Sequence, residues 1–207
     1  MRSLRTLLLC AAVLTVVGVS RATTVVPPDF ADLAADSDYV VRGRIKSLRN
    51  EIVVREGREV PFTHVEVEVR DVVAGTPPAK VVLRVLGGQT SDGRELRVEG
   101  VPAFTVGDEH ILFVKGNGTN FYPLKGVMHG IYPVKFDKKL GREYIARANS
   151  VPLSSTAEVG LPLAGGKTAM MLSRLRTADD ALTPAEFIQS VREARAAGKE
   201  GGLSRAK

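Results

Sequence analysis

A strict alternation of apolar and charged side chains runs through His64-Val65-Glu66-Val67-Glu68-Val69-Arg70. Successive side chains of a β-strand point to opposite faces of its sheet, so this pattern predicts a half-buried strand. The same alternation marks residues 40–46 and 80–86, whereas residues 110–115 are apolar on both faces and predict a central strand. Shorter strands are predicted at residues 121–124, 131–137 and 142–147.

Two helices are predicted outside these strands. Residues 29–36 place Phe30 and Leu33 on one face at helical spacing. A second helix, residues 181–198, begins with Thr183-Pro184-Ala185-Glu186, which is a capping-box pattern. Between the last strand and the second helix, residues 149–180 lose the alternation and contain several prolines and glycines, so we expect an extended segment or linker there.

The fold class follows from this order of elements. Consecutive strands without alternating helices indicate a mainly β protein, and five or six strands favour a small antiparallel, OB-like barrel. We therefore expect the barrel at residues 23–148, with a short N-terminal helix and a C-terminal helix. The remaining basic tail, residues 199–207, is expected to be disordered.

The first 22 residues have the pattern of a signal peptide. A basic start precedes an apolar run of about 13 residues, too short to span a bilayer, and Ser20 and Ala22 supply the small residues of a cleavage site. The protein is therefore expected to be exported to the periplasm or secreted, with no membrane span after cleavage. Cleavage would also remove Cys10, the single cysteine, and with it any disulfide or thiolate chemistry.

The formal net charge of +6 does not lie on the predicted barrel. The signal segment carries three arginines and no acid, and the residues from Arg192 onward carry five basic and two acidic side chains. Residues 23–191 are therefore neutral in sum. Because a nucleic-acid-binding domain concentrates basic charge on its folded part, the sequence argues against a nucleic-acid partner.

Several motifs resemble known families. The segments Ala35-Asp36-Ser37-Asp38-Tyr39-Val40-Val41-Arg42-Gly43 and Phe104-Thr105-Val106-Gly107-Asp108-Glu109-His110 resemble those of an uncharacterised family of secreted bacterial proteins, as does Gly126-Val127-Met128-His129-Gly130-Ile131-Tyr132. The order of helix and strands is more distantly similar to the OB-fold of tissue inhibitors of metalloproteinases and netrin-type modules. This resemblance implies a five-stranded barrel with a binding role. Those inhibitors bind the target zinc through an N-terminal cysteine, which the cleaved chain would lack, so that mechanism is not carried over.

Two sets of residues are candidates for a functional site. The polar loop between apolar strands contains Gln89, Thr90, Ser91 and Asp92, and such loops carry recognition on barrels. The alternative set is Glu109, His110 and His129, which would serve a metal-dependent or hydrolytic enzyme.

The sequence thus leads to two hypotheses of function. The first is an exported, non-enzymatic β-barrel module without a cofactor that binds another protein, with inhibition of a secreted protease as its narrower form. The second is an exported metal-dependent or hydrolytic enzyme that uses the histidines.

Overall fold

The computed structural model describes residues 26–98, 100–101 and 103–205. The predicted signal peptide, residues 1–22, lies outside the described residues, and so does Cys10. The strands are β1 (Tyr39–Arg55), β2 (Arg58–Gly75), β3 (Val81–Leu86), β4 (Gly88–Gln89), β5 (Glu95–Leu96), β6 (Glu109–Val114), β7 (Ile131–Asp137) and β8 (Arg142–Ile145). The helices are α1 (Phe30–Ala35), α2 (Gly166–Leu175) and α3 (Pro184–Arg205), with 3-10 turns at Val127–Gly130 and Thr156–Gly160.

Six of these strands form one antiparallel sheet. Their order is β3-β2-β1-β6-β7-β8, and β4 pairs separately with β5. The prediction of a mainly β protein with an antiparallel sheet is confirmed. In the part of the chain that the structure describes, no strand pairing joins β3 to β8, so closure into an OB-like barrel stays a prediction.

The first two strands are much longer than the sequence pattern predicts. β1 and β2 form a ribbon whose tip extends beyond the third strand, and its turn places Glu56 and Gly57 at φ 50° and 74°. Closer to the sheet, a Cβ on Gly43 would lie 2.6 Å from Val67 Cγ1 and 2.8 Å from the Glu68 carbonyl oxygen. Glycine is therefore required there, because a side chain would collide with β2, and the register between β1 and β2 shifts between Arg42 and Gly43.

The sheet buries apolar side chains on both faces. One face packs on α1 and α3, where Phe187 lies between the rings of Phe30, Phe113 and Tyr132. The other face carries the valines of the β2 alternation and Leu112 of β6. Burial on both faces explains why β6 is apolar throughout its centre.

Part of each outer edge of the sheet is covered. Asn117 accepts from the Arg84 backbone N–H (3.1 Å) and donates to the Val82 carbonyl (2.7 Å), so its amide replaces a strand at the edge of β3. At the opposite edge, Ile145 N–H donates to the Leu182 carbonyl, and its own carbonyl accepts from Leu153 N–H. Covered edges prevent uncontrolled strand pairing between molecules.

Three sequence expectations differ from the structure. Residues 149–180 are not simply extended, because Ser155 caps a 3-10 turn and Gly165-Gly166 stand at the start of a helix instead of interrupting one. α3 continues to Arg205 and includes part of the tail expected to be disordered; as far as Gly198 it packs against α1, with Ala35 within contact distance. Residues 121–124 form only a bridge, between Leu124 and Val114.

Candidate functional site

The predicted binding loop forms a small hairpin that is fastened to the β1–β2 ribbon. Asn50 donates to the Gln89 carbonyl (2.7 Å) and accepts from Gln89 N–H (3.0 Å). Glu59 accepts from the Ser91 hydroxyl (2.5 Å) and from Ser91 N–H (2.9 Å). Side chains of the ribbon therefore hold the hairpin β4–β5 at Gln89 and at Ser91.

The turn of this hairpin satisfies most of its own polar groups. Asp92 accepts from the Thr90 hydroxyl (2.6 Å) and from Arg94 Nε (2.6 Å). These hydrogen bonds hold the pKa of Asp92 well below its usual value, and the one from Arg94 has the largest effect. The polar atoms of Thr90 and Asp92 are hydrogen-bonded within the turn. These side chains therefore stabilise the hairpin and leave few polar atoms for a ligand.

Beneath the hairpin lies an apolar groove of about 540 Å³, which we call the hairpin groove. Its lining includes Leu48 and Thr63 of the ribbon together with Leu96 and Phe104. Leu48 and Leu96 are each 40% exposed, so the groove presents apolar side chains to solvent. Such a concave apolar surface is typical of a binding site.

A second cavity of about 310 Å³ adjoins this groove. Met128, Ala148 and Leu163 line it, and it shares Gly100 and Val101 with the hairpin groove. We call it the Met128 cavity. The two depressions together form an apolar track that leads from the ribbon towards Gly165, the residue before α2.

Glu109 and His110 of the alternative candidate set are adjacent in sequence, but their side chains do not form a common site. Glu109 is 9% exposed and accepts from Arg42 (2.5 Å) and Arg70 (2.8 Å), and Arg42 also binds Glu143 (2.7 Å). This carboxylate is therefore engaged by two guanidinium groups in an ion-pair network. His110, the next residue of β6, points to the opposite face of the sheet.

The two histidines lie in different apolar surroundings. His110 is 4% exposed with its ring edge-on to Phe104, and burial lowers its pKa to about 4. His129 lies in the 3-10 turn before β7, and burial followed by the charge of Arg147 lowers its pKa. Among the described residues, no group of three or more His, Cys, Asp or Glu side chains could hold a metal ion.

Sequence reasoning missed the residues that line the groove. Leu48 lies on β1 beyond the predicted end of the strand, and the exposed Ile52 and Val54 share its face without lining the groove. The polar Asn50 interrupts the apolar alternation between Leu48 and Ile52, so the period-two signal is weak there. Leu96 gives no such signal, since β5 has only two residues.

Comparisons with known proteins add no identification. No protein-family model matches the chain, and no curated protein matches it. None of the helices in the described ranges has the length and apolar character needed to cross a membrane.

Proposed function

We propose that this protein is an exported, non-enzymatic module that binds another protein through the hairpin groove. The observation that carries the proposal is the groove itself, about 540 Å³ in volume and bounded by the partly exposed Leu48 and Leu96. Burial of these side chains by a partner would contribute favourably to association, at about 25 cal/mol per Å² of apolar surface. The partner is therefore expected to insert apolar side chains.

Where the two outer strands are covered, side-chain recognition is favoured over strand addition. An added strand needs free backbone N–H and C=O groups along an edge. Asn117 occupies the Arg84 N–H and the Val82 carbonyl of β3, and Leu182 and Leu153 occupy the N–H and the carbonyl of Ile145 on β8. A partner that paired with the backbone at these positions would have to displace these contacts, whereas the groove is open.

The OB-like barrel forms part of the same proposal. Leu86 N–H donates to the Phe121 carbonyl (2.9 Å), and Leu124 bridges to Val114, so residues 121–124 lie between β3 and β6. A segment in this position would complete a ring of β3, β2, β1 and β6. It supports, as a narrower proposal, a barrel of the kind found in protease inhibitors of the tissue-inhibitor type.

The experiment compares the wild-type chain with two charge variants. Leu96→Glu places a carboxylate in the groove, and Leu140→Glu is the control, because Leu140 is 47% exposed in the β7–β8 turn. Each tagged protein is incubated with the native envelope fraction, and bound proteins are quantified by mass spectrometry. Thermal unfolding is measured first, so that a variant that fails to fold is recognised.

We expect a partner that the wild type and Leu140→Glu retain and that Leu96→Glu loses by at least about tenfold, since a buried unpaired charge costs more than 1.4 kcal/mol. Activity of a captured protease is then assayed with saturating protein to test the narrower proposal. Equal capture by all three chains would overturn the groove as the binding site. No reproducible partner, together with turnover in a hydrolase screen, would favour the enzyme hypothesis.

A further inference from the structure

Helix α2 exposes apolar side chains that the other described residues do not cover. Met170, Met171 and Leu175 are 58%, 54% and 69% exposed, and the helix contributes no fully buried residue to the core. A ten-residue helix is marginal in water without tertiary packing. Only Ala169, Leu172 and Ser173, on its inward side, are partly buried. A partner that covered its outward face would therefore stabilise the helix.

The outward face also carries two cations. Lys167 and Arg174 are seven residues apart, so they lie on one line along the helix with about 10 Å between their positions along the axis. Helical spacing places Met170 on one side of that line, and Met171 and Leu175 on the other. The helix contains no acidic residue. Within the described ranges neither Lys167 nor Arg174 makes an ion pair, whereas Arg176, just after the helix, binds Glu158.

The position of the cations discriminates between possible partners. A helix that lies in a membrane interface buries a face free of charge and keeps its cations on the opposite, polar face. Here the two cations lie in the middle of the apolar surface, so inserting Met170 and Met171 together would also bury Lys167 and Arg174. A protein surface can instead supply carboxylates opposite the cations and apolar contacts beside them.

We propose that α2 is a docking surface for an acidic segment of a partner protein. The segment would present two carboxylates about 10 Å apart, such as acidic residues seven positions apart on a helix, flanked by apolar side chains. The methionines suit this role because their flexible side chains adapt to a partner's shape. Charge complementarity thus identifies the chemistry of the occupant.

The same partner would occupy the hairpin groove. Gly165, which precedes α2, lines the Met128 cavity, and that cavity shares Gly100 and Val101 with the groove. The inference therefore rests on the proposed function and adds the acidic character of the partner. An elongated partner would contact both the groove and α2 at opposite ends of this track.

The test uses paired charge reversals in the full chain. Lys167→Glu with Arg174→Glu reverses the charge of α2, and Lys138→Glu with Lys139→Glu is the control in the exposed β7–β8 turn. Both variants change the net charge equally, so a general electrostatic effect would appear in both. The readout is the amount of the groove-dependent protein retained from the native envelope fraction, at low and at raised salt.

We expect the α2 variant to retain at least about tenfold less of that protein, because reversal places like charges opposite each other, and we expect the control to change little. Raised salt should weaken wild-type capture and leave the α2 variant nearly unaffected. Equal capture by both variants would overturn the docking role of α2 while leaving the groove proposal intact. Wild-type binding to vesicles of phosphatidylcholine and phosphatidylglycerol that the α2 variant loses would overturn the protein partner in favour of a lipid surface.

Discussion

The substitution His110→Leu should change how the stability of this protein depends on pH. His110 is 4% exposed, and neither of its ring nitrogens has a hydrogen-bond partner in the part of the chain that the structure describes. Leu112, on the same face of β6, is wholly buried in the apolar core. Leucine therefore fits the surroundings of this position and removes a polar group that the fold does not satisfy.

The magnitude follows from the pKa of the imidazole. Burial, the dominant cause, lowers it from 6.5 to about 4, while Asp108 and Glu109 raise it and Lys135 lowers it further. A difference of about 2.5 in pKa corresponds to about 3 kcal/mol. Below pH 6.5 the unfolded chain binds a proton that the folded chain does not bind until about pH 4. Acidification through this window therefore destabilises the wild type, and His110→Leu escapes that loss.

The assay is urea unfolding of both proteins at several pH values between about 7.5 and about 4. The difference in the free energy of unfolding between variant and wild type is the useful quantity, because the titration of carboxylates common to both largely cancels. We expect the variant to be at least as stable at the upper end and to gain about 3 kcal/mol over the wild type at the lower end. A difference that stays constant within about 0.5 kcal/mol across the range would refute this account of His110.

Two further predictions concern the packing and the edge of the sheet. Phe187→Ala should lower the free energy of unfolding by about 3–5 kcal/mol in urea, because a ring buried among three aromatic side chains is lost, whereas the exposed Gln189→Ala should change it by less than about 0.5 kcal/mol. Asn117→Ala should cost about 1–2 kcal/mol and increase light scattering on storage, because it frees the N–H of Arg84 and the carbonyl of Val82 at the sheet edge; unchanged stability and scattering would contradict the role of Asn117 as a strand substitute.

The sequence predicts most of the sheet because its strands are buried on defined faces. β7 has the predicted bounds, and the capping box at α3 is confirmed: the Glu186 carboxylate accepts from Thr183 N–H (2.8 Å), and the Thr183 hydroxyl accepts from Glu186 N–H (3.3 Å). The outer ribbon was underestimated because its alternation mixes polar and apolar residues at the tip. At the tip, backbone pairing between β1 and β2 stabilises the extended conformation more than burial does.

The candidate site was less predictable than the fold. The loop at Gln89–Asp92 was identified by its polarity, yet its role depends on Asn50 and Glu59, which lie more than 30 residues earlier in the chain. Helix α2 was hidden by the two glycines at its start and by the lack of a buried apolar face. Contacts over such distances in sequence leave no local pattern, so only the three-dimensional structure reveals them.

The net charge of residues 23–191 and the local charge of α2 indicate different things about a partner. Residues 23–191 are neutral in sum, which argues against a nucleic-acid partner for the sheet domain. This neutral stretch contains α2, but α2 itself is positively charged, because no acidic residue within the helix balances Lys167 and Arg174. Two cations flanked by Met170, Met171 and Leu175 would neutralise few phosphates and would leave the apolar side chains without contacts. An acidic and partly apolar protein surface satisfies both halves of this face, so the acidic residues of the partner should determine how strongly it docks on α2.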